Sequence, residues 1–235
     1  MSANPIQACL DVLMAPTNAF TTVKDKKGWA WVPFFLVIVM TSVVFVHYFS
    51  IVNIDWYQDQ SLEQAAAMTG MSFEELKAAS PAVEATSAMI QTIVSVAITL
   101  IVMNLLSAVY YLLATKVTVK NDYSFKDWYA FTWWTCMPVV VSSLASILVL
   151  FFAADGNISL NDIQPTSLNS LIFSVETSHA WYTFLEAINL FNLWIIAIAS
   201  VGLKVWLNIK TKKAVILALL PSLVIYGLWA LYIAL

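Results

Sequence analysis

The residues that could carry chemistry in this chain are few, and they gather near the ends of its apolar runs. His47 lies near the end of the first run, Glu176 and His179 stand three residues apart, and Glu186 follows at the mouth of the fourth run. Imidazole beside carboxylate can ligate a divalent metal. Histidines at the edge of an apolar run serve more simply as amphipathic residues, so neither a metal ligand nor a cofactor is assigned. Among the polar residues inside the runs are Asn104 and Ser107 in the second, Ser142, Ser143 and Ser146 in the third, and Asn189 and Asn192 in the fourth. Glu186, Asn189 and Asn192 recur every three residues, so one broad helical face would carry them. Such groups either hydrogen-bond across a helix bundle or line a substrate pathway. Catalysis has little to work with. There is no His-Glu-x-x-His helix, no Gly-x-Ser-x-Gly elbow and no phosphate-cradling loop among the five glycines. All eleven basic residues are lysines, so the bidentate arginine clamp for phosphate or carboxylate is missing. No Asp lies deep in an apolar run. No enzyme is expected.

The elements that must position these residues are long apolar helices. The chain is 61% hydrophobic and 11% charged, too little polar surface to coat a soluble core of 235 residues. Crossing a bilayer core about 30 Å thick takes roughly 20 apolar residues per helix. Five runs meet that length, at about 29–52, 89–114, 130–153, 185–206 and 214–235. They are continuously apolar rather than alternating, which selects helices over a barrel. Lys24, Lys26 and Lys27 precede the first run, Lys116, Lys120 and Lys126 lie between the second and third, and Lys204, Lys210, Lys212 and Lys213 between the fourth and fifth. The alternate connections hold acids instead, Asp55, Asp59, Glu63, Glu74, Glu75 and Glu84 in one, Asp155, Asp162, Glu176 and Glu186 in the other, with Lys77 the lone exception. Lysine-rich short loops stay in the cytoplasm. The expected topology is therefore N-terminus in and C-terminus out, and the net charge of −3 matters less than its segregation. No cleavable signal is expected, because the first 28 residues lack an apolar core and the first run ends in His47, Tyr48 and Phe49. Cys9 and Cys136 fall in the cytoplasmic half, where thiols stay reduced.

Between the runs, shorter elements are readable. Asn4 as cap and Pro5 at the first position open a helix, on which Ile6, Cys9, Leu10, Leu13 and Met14 form an apolar strip and Gln7 and Asp11 the opposite face. Pro16 ends it, and a second turn can run from Thr17 to Val23. This arm, residues 1–28, is expected to lie on the cytoplasmic membrane surface. In the first outer connection, Ser61 to Gln64 and Ser72 to Glu75 both have the spacing of a capping box, with Gly70 as a helix stop between them. They predict a small acidic helical hairpin packed through Met68, Met71, Phe73 and Leu76, with Ser80-Pro81 starting the next helix. Ser124 is placed to cap the helix entering the third run, and 167–181 to form a surface helix. Pro33, Pro138 and Pro221 each fall early in an outward-going run, where each favours a kink.

Asn4-Pro5, the arm with Pro16-Thr-Asn-Ala-Phe20, and Trp29-Ala-Trp31-Val-Pro33 together resemble the start of the Yip (Ypt/Rab-interacting protein) family of five-span membrane proteins. Tyr123-Ser-Phe125-Lys-Asp-Trp128 with Cys136-Met137-Pro138 resembles that family's third span. Leu190-Phe-Asn-Leu-Trp194 through Gly202-Leu-Lys204 to Lys212-Lys213-Ala214 resembles its last helical pair. The resemblance covers almost the whole chain, in order. It implies a polytopic membrane protein and, in eukaryotic members, binding of prenylated Rab-type GTPases in vesicle traffic. Those members carry a long cytoplasmic N-terminal region, whereas about 28 residues precede the first run here, so the chain resembles the short bacterial type and the Rab function is not carried over. A bacterial inner-membrane location follows from the same resemblance. The expected fold is all-α: a bundle of five transmembrane helices with an N-terminal interfacial helix and a small outer hairpin, 1–235 forming one Yip-type membrane domain. The expected function is non-enzymatic, organising the membrane or recruiting a protein partner or a second copy through the arm and the lysine loops. Lys24, Lys26, Lys27, Lys210, Lys212 and Lys213 would contact anionic lipid headgroups, each worth on the order of 1 kcal/mol. The alternative is a transporter or channel whose pathway passes Asn104, Ser142, Glu186, Asn189 and Asn192. No nucleic-acid partner is expected.

Overall fold

Long uncharged runs bounded by charged residues form helices wherever the backbone must satisfy itself, since a bilayer core offers no water to its amides. The computed structural model describes residues 2–26, 28–153 and 155–235, and no strand occurs among them. Two short helices, α1 (Pro5–Met14) and α2 (Pro16–Val23), make the N-terminal arm. Five long apolar elements follow: α3 (Trp31–Ile51), α6 (Ala85–Thr118), the consecutive pair α7 (Phe125–Thr135) and α8 (Pro138–Phe151), α10 (Leu190–Leu207) and α11 (Thr211–Ala234). Between them, α4 (Ile54–Thr69) and α5 (Phe73–Ala79) form a hairpin, and α9 (Tyr182–Ala187) precedes α10. All five are long and apolar enough to cross a membrane, so the protein is an all-α, multi-pass bundle.

Local chemistry explains where the elements begin and stop. In the hairpin, Asn53 caps α4, its Oδ1 accepting from the amides of Asp55 and Trp56. Ser61, expected to start a helix, therefore lies inside one, where its hydroxyl donates back to the Tyr57 carbonyl. Gly70 stops α4 at φ 73°, a left-handed conformation that glycine adopts without a Cβ clash. Ser72 and Glu75 do form a reciprocal capping box. Lys77 bridges back to Asp59 at 2.7 Å, tying α5 to α4. Ser80-Pro81 does not open the next helix, which starts at Ala85 and runs to Thr118, beyond the expected 89–114 at both ends. The Met68 side chain, assigned above to hairpin packing, lies outside the described residues.

The third span is broken. Pro138 has no N–H to donate, so α7 ends at Thr135, the chain turns through Cys136 and Met137, and α8 starts on the proline. Pro33 lies in the first turn of α3, where its missing donor costs nothing, and Pro221 lies inside α11. The stretch 167–181 is not a surface helix. It contains one π-helical turn, Asn169–Phe173, closed by Asn169, whose Oδ1 accepts from the Val175 amide and whose Nδ2 donates to the Val175 carbonyl.

Two apolar clusters hold the bundle. The larger gathers the arm, α7 and the lysine-bearing ends of α6, α10 and α11. The smaller, at the acidic end, packs Val44, Tyr48 and Phe49 of α3 with Leu150 of α8 and Ile163, and the Tyr48 hydroxyl donates to the Ile158 carbonyl at 2.9 Å. Outward faces of the spans stay apolar and exposed, as in Phe35, Val39, Leu106, Leu113 and Leu228. Water cannot be the solvent for such faces; hydrocarbon can.

Candidate functional site at the lysine-rich end

The arm reaches this end as two helices because Asn4 and two prolines set it up. Asn4 Oδ1 accepts from the Gln7 amide at 2.8 Å, Pro5 takes the first position of α1, and Pro16 restarts the chain as α2. On α2, Phe20 is fully buried against Phe131 of α7, ring centroids 5.4 Å apart. Both rings lie over Gly202 of α10. A Cβ at 202 would come within 2.6 Å of Phe131 Cε2 and 2.9 Å of the Phe20 ring, so only a glycine admits this approach. One turn on, Trp206 ties three segments. Its indole N–H donates to the Phe20 carbonyl at 3.2 Å, and its own carbonyl accepts from Tyr123 Oη at 3.0 Å and Lys24 Nζ at 3.3 Å. The Tyr123 ring stacks on its indole at 5.2 Å. Aromatic side chains bury about 150–250 Å² each, and Trp128, Phe131, Trp134 and Trp206 all contribute here. The arm is a docked part of the bundle end.

That docking divides the face expected to lie in the membrane. Ala8, Cys9 and Val12 turn into the protein, and Leu13 is half-buried against the same cluster. Ile6, Leu10 and Met14 are left as an outward stripe, 69%, 60% and 85% exposed and four residues apart. Small residues face protein because they allow backbones to approach, while the large ones remain outside. Burial pushes the Cys9 thiol up to about 12.

The lysines expected to meet headgroups have mixed surroundings. Lys24 and Lys213 donate to the carbonyls of Trp206 and Thr118, in the last turns of α10 and α6, where a cation suits the helix dipole. Lys26 lies over the Trp29 ring at 5.6 Å. Lys210 and Lys212 are exposed at the start of α11. Lys27 lies outside the described residues. A cavity of about 500 Å³ opens between the α2–α3 connection and α7. Lys24, Lys26 and Lys126 line it, with aromatic walls from Trp31, Phe34 and Trp133. The motifs contain Phe20, Trp31, Tyr123 and Trp128 but say nothing of how they pack; the density of aromatics from Tyr123 to Trp134 is the signal the sequence does carry.

The polar residues of the runs come together only in part. Asn104 is buried, its Nδ2 donating to the Leu100 carbonyl and its Oδ1 facing Cys136 Sγ at 3.4 Å across to the span break. Glu186 is on α9, not on the fourth span, and accepts from Asn169 Nδ2 at 2.9 Å. Asn189 caps α10, its Oδ1 accepting from the Asn192 amide, and this cap is why the helix starts at Leu190 rather than near 185. Asn192 Nδ2 donates to the Ala187 carbonyl at 2.9 Å, and that carbonyl also accepts from Tyr226 Oη at 3.1 Å. Ser142, Asn189 and Asn192 share a second cavity, about 260 Å³, whose lining goes no deeper than Leu100 and Val139 and leaves out Asn104. His47 Nε2 is buried without a hydrogen-bond partner among the described residues. His179 Nδ1 accepts from the Trp181 amide. Among the described residues, no three His, Cys, Asp or Glu side chains cluster as a metal-ligand set.

No curated protein and no solved structure matches the chain. A protein-family model, the Yip1 domain, matches residues 10–232.

Proposed function

The chain belongs to the Yip1 domain family, and from that premise we propose that it is a non-enzymatic integral membrane protein that organises the membrane or recruits a partner. The working part is the docked arm with its neighbouring lysine loops, and 1–235 acts as one membrane unit. The observation that carries the reading is the outward stripe of Ile6, Leu10 and Met14 on a helix whose other face is locked to the bundle. A rigidly presented apolar stripe beside lysines suits a membrane interface or an apolar protein partner. The lysine loops put this end in the cytoplasm by charge bias, and the resemblance to the short bacterial type points to the inner membrane. Lys24, Lys26, Lys27, Lys210, Lys212 and Lys213 then stand at headgroup level.

A photo-crosslinking amino acid at Leu10, in cells, tests the role. Protein or lipid adducts at Leu10, absent at Gln7, support it; no adduct of either kind sinks it. Orientation is tested separately with Ser61→Cys and Asn208→Cys. The first should react with an impermeant maleimide added outside and the second should not; the reverse result overturns the topology. The cavity lined by Ser142, Asn189 and Asn192 favours a second reading, a transport pathway, which substrate flux in proteoliposomes lost with Asn192→Leu would support.

A further inference from the structure

We propose that the cavity between the α2–α3 connection and α7 binds one anionic phospholipid, its phosphate among Lys24, Lys26 and Lys126 and one acyl chain running out along α3. The inference rests on the membrane reading above, which sets this end at headgroup depth. A volume of about 500 Å³ falls in the range of ligand pockets, about 300–1,000 Å³. Three lysines line it against one acid, Asp127, and Lys24 keeps its charge while donating to the Trp206 carbonyl. That carboxylate is committed elsewhere, its Oδ2 accepting from the Ser124 amide at 2.8 Å and hydroxyl at 2.7 Å. The charge left over calls for an anion.

A further observation selects a lipid anion. From the mouth of the cavity, Trp31, Phe35 and Val39 continue along α3 as an exposed apolar stripe spaced by four. A soluble phosphate would use the lysines and leave that stripe unused; a phospholipid uses both.

Native mass spectrometry of the full-length protein in detergent, titrated with phosphatidylglycerol, phosphatidylcholine or glycerol phosphate, tests the site. One phosphatidylglycerol should bind in preference to phosphatidylcholine, and glycerol phosphate should not displace it at the same concentration. Lys26→Gln with Lys126→Gln should weaken that lipid about thirtyfold, which is about 2 kcal/mol at roughly 1.4 kcal/mol per decade. Ala130→Trp fills the cavity while keeping every charge and should weaken it comparably. If that variant fails to fold, the smaller Ala130→Leu should still weaken binding severalfold. Lys116→Gln with Lys120→Gln removes the same charge from outside the cavity and should change binding less than threefold. Equal loss in both lysine pairs, equal binding of phosphatidylcholine, or displacement by glycerol phosphate overturns the site. Leu10 crosslinks that persist when the lipid site fails leave the recruitment reading standing, so the two fail separately.

Discussion

Replacing Gly202 with alanine should undock the N-terminal arm while leaving the five spans in place. The new methyl would start 2.6 Å from Phe131 Cε2 and 2.9 Å from the Phe20 ring. Neither ring has room to retreat. Both are fully buried, and Phe131 is also packed against Trp206 and Trp128 at centroid distances of 5.0 and 5.5 Å. Overpacking of this kind costs about 1–3 kcal/mol. Of the three elements meeting here, α2 is the one free to leave, because α7 and α10 are parts of spans. The strain therefore enters the arm's docking equilibrium, and its open population should rise roughly 5- to 150-fold, taking RT as about 0.59 kcal/mol. Cys9 reports that opening. It is 2% exposed, and burial pushes its thiol up to about 12 and so disfavours the reactive thiolate, so alkylation proceeds through the undocked state. Maleimide labelling read site by site by peptide mass spectrometry should accelerate by that factor at Cys9 and stay unchanged at Cys136. Unchanged Cys9 labelling in a folded variant would refute the reasoning, showing that the rings yield or that other contacts hold the arm. Equal acceleration at Cys136 would show general loosening instead.

Trp206→Phe removes the N–H donated to the Phe20 carbonyl, worth about 1 kcal/mol net, so Cys9 labelling should rise about fivefold; no rise would assign the clamp to ring stacking alone. Arm docking should also depend on pH with a fixed sign. The buried thiol ionises at a higher pH than the free one, so docking is fully favoured below 9.0 and weakens as pH climbs toward about 12; hydrogen-exchange protection factors across α1, corrected for the intrinsic rate, that stay flat over that range contradict it. Asn192→Leu deletes one of two donors on the Ala187 carbonyl, and Tyr226 Oη still holds it. The detergent melting temperature should fall only slightly, in line with the roughly 0.6 kcal/mol of an average membrane hydrogen bond, and a large fall would show that Asn192 does more than brace α9 against α10.

Sequence and structure agree where hydrophobicity alone decides and part where partners decide. The spans are legible because a long uncharged run has one low-energy environment, and the lysine segregation is legible because it is written in residue type. The arm shows the limit. Its periodicity marks apolar residues on α1 but cannot say which ones have a protein partner, since Ala8, Cys9 and Val12 and the stripe of Ile6, Leu10 and Met14 are both apolar. Capping shows it again. Ser61-x-x-Gln64 has the same spacing as Ser72-x-x-Glu75, yet Asn53 nucleates α4 eight residues earlier and leaves Ser61 nothing to cap. In the fourth span, Asn189 reads as one of three polar residues on a helical face until its side chain is seen to cap the helix itself. Gly202 stands in a motif, but the reason for a glycine there is not in the sequence, because it is set by Phe20 and Phe131, each remote from it in the chain. The lysine-lined cavity is invisible for the same reason, being assembled from residues near 25 and near 125.

The length of α6 has a consequence for the surrounding bilayer. The uncharged stretch 89–114 inside it is about 39 Å long at 1.5 Å per residue, against a hydrocarbon core of about 30 Å. Fitting it upright would strand apolar side chains such as Ile90 and Val94, both more than half or half exposed, among headgroups and water. The helix must lean by about 40°, near the upper edge of observed tilts, or the bilayer must thicken around it. Packing against α3 and α7 sets that lean on one side of the helix, while its outward face meets lipid alone, so the cost of mismatch falls on lipid and bundle together. Thick membranes relieve it and thin ones aggravate it, which makes α6 a ruler that biases where in a laterally heterogeneous membrane this protein resides.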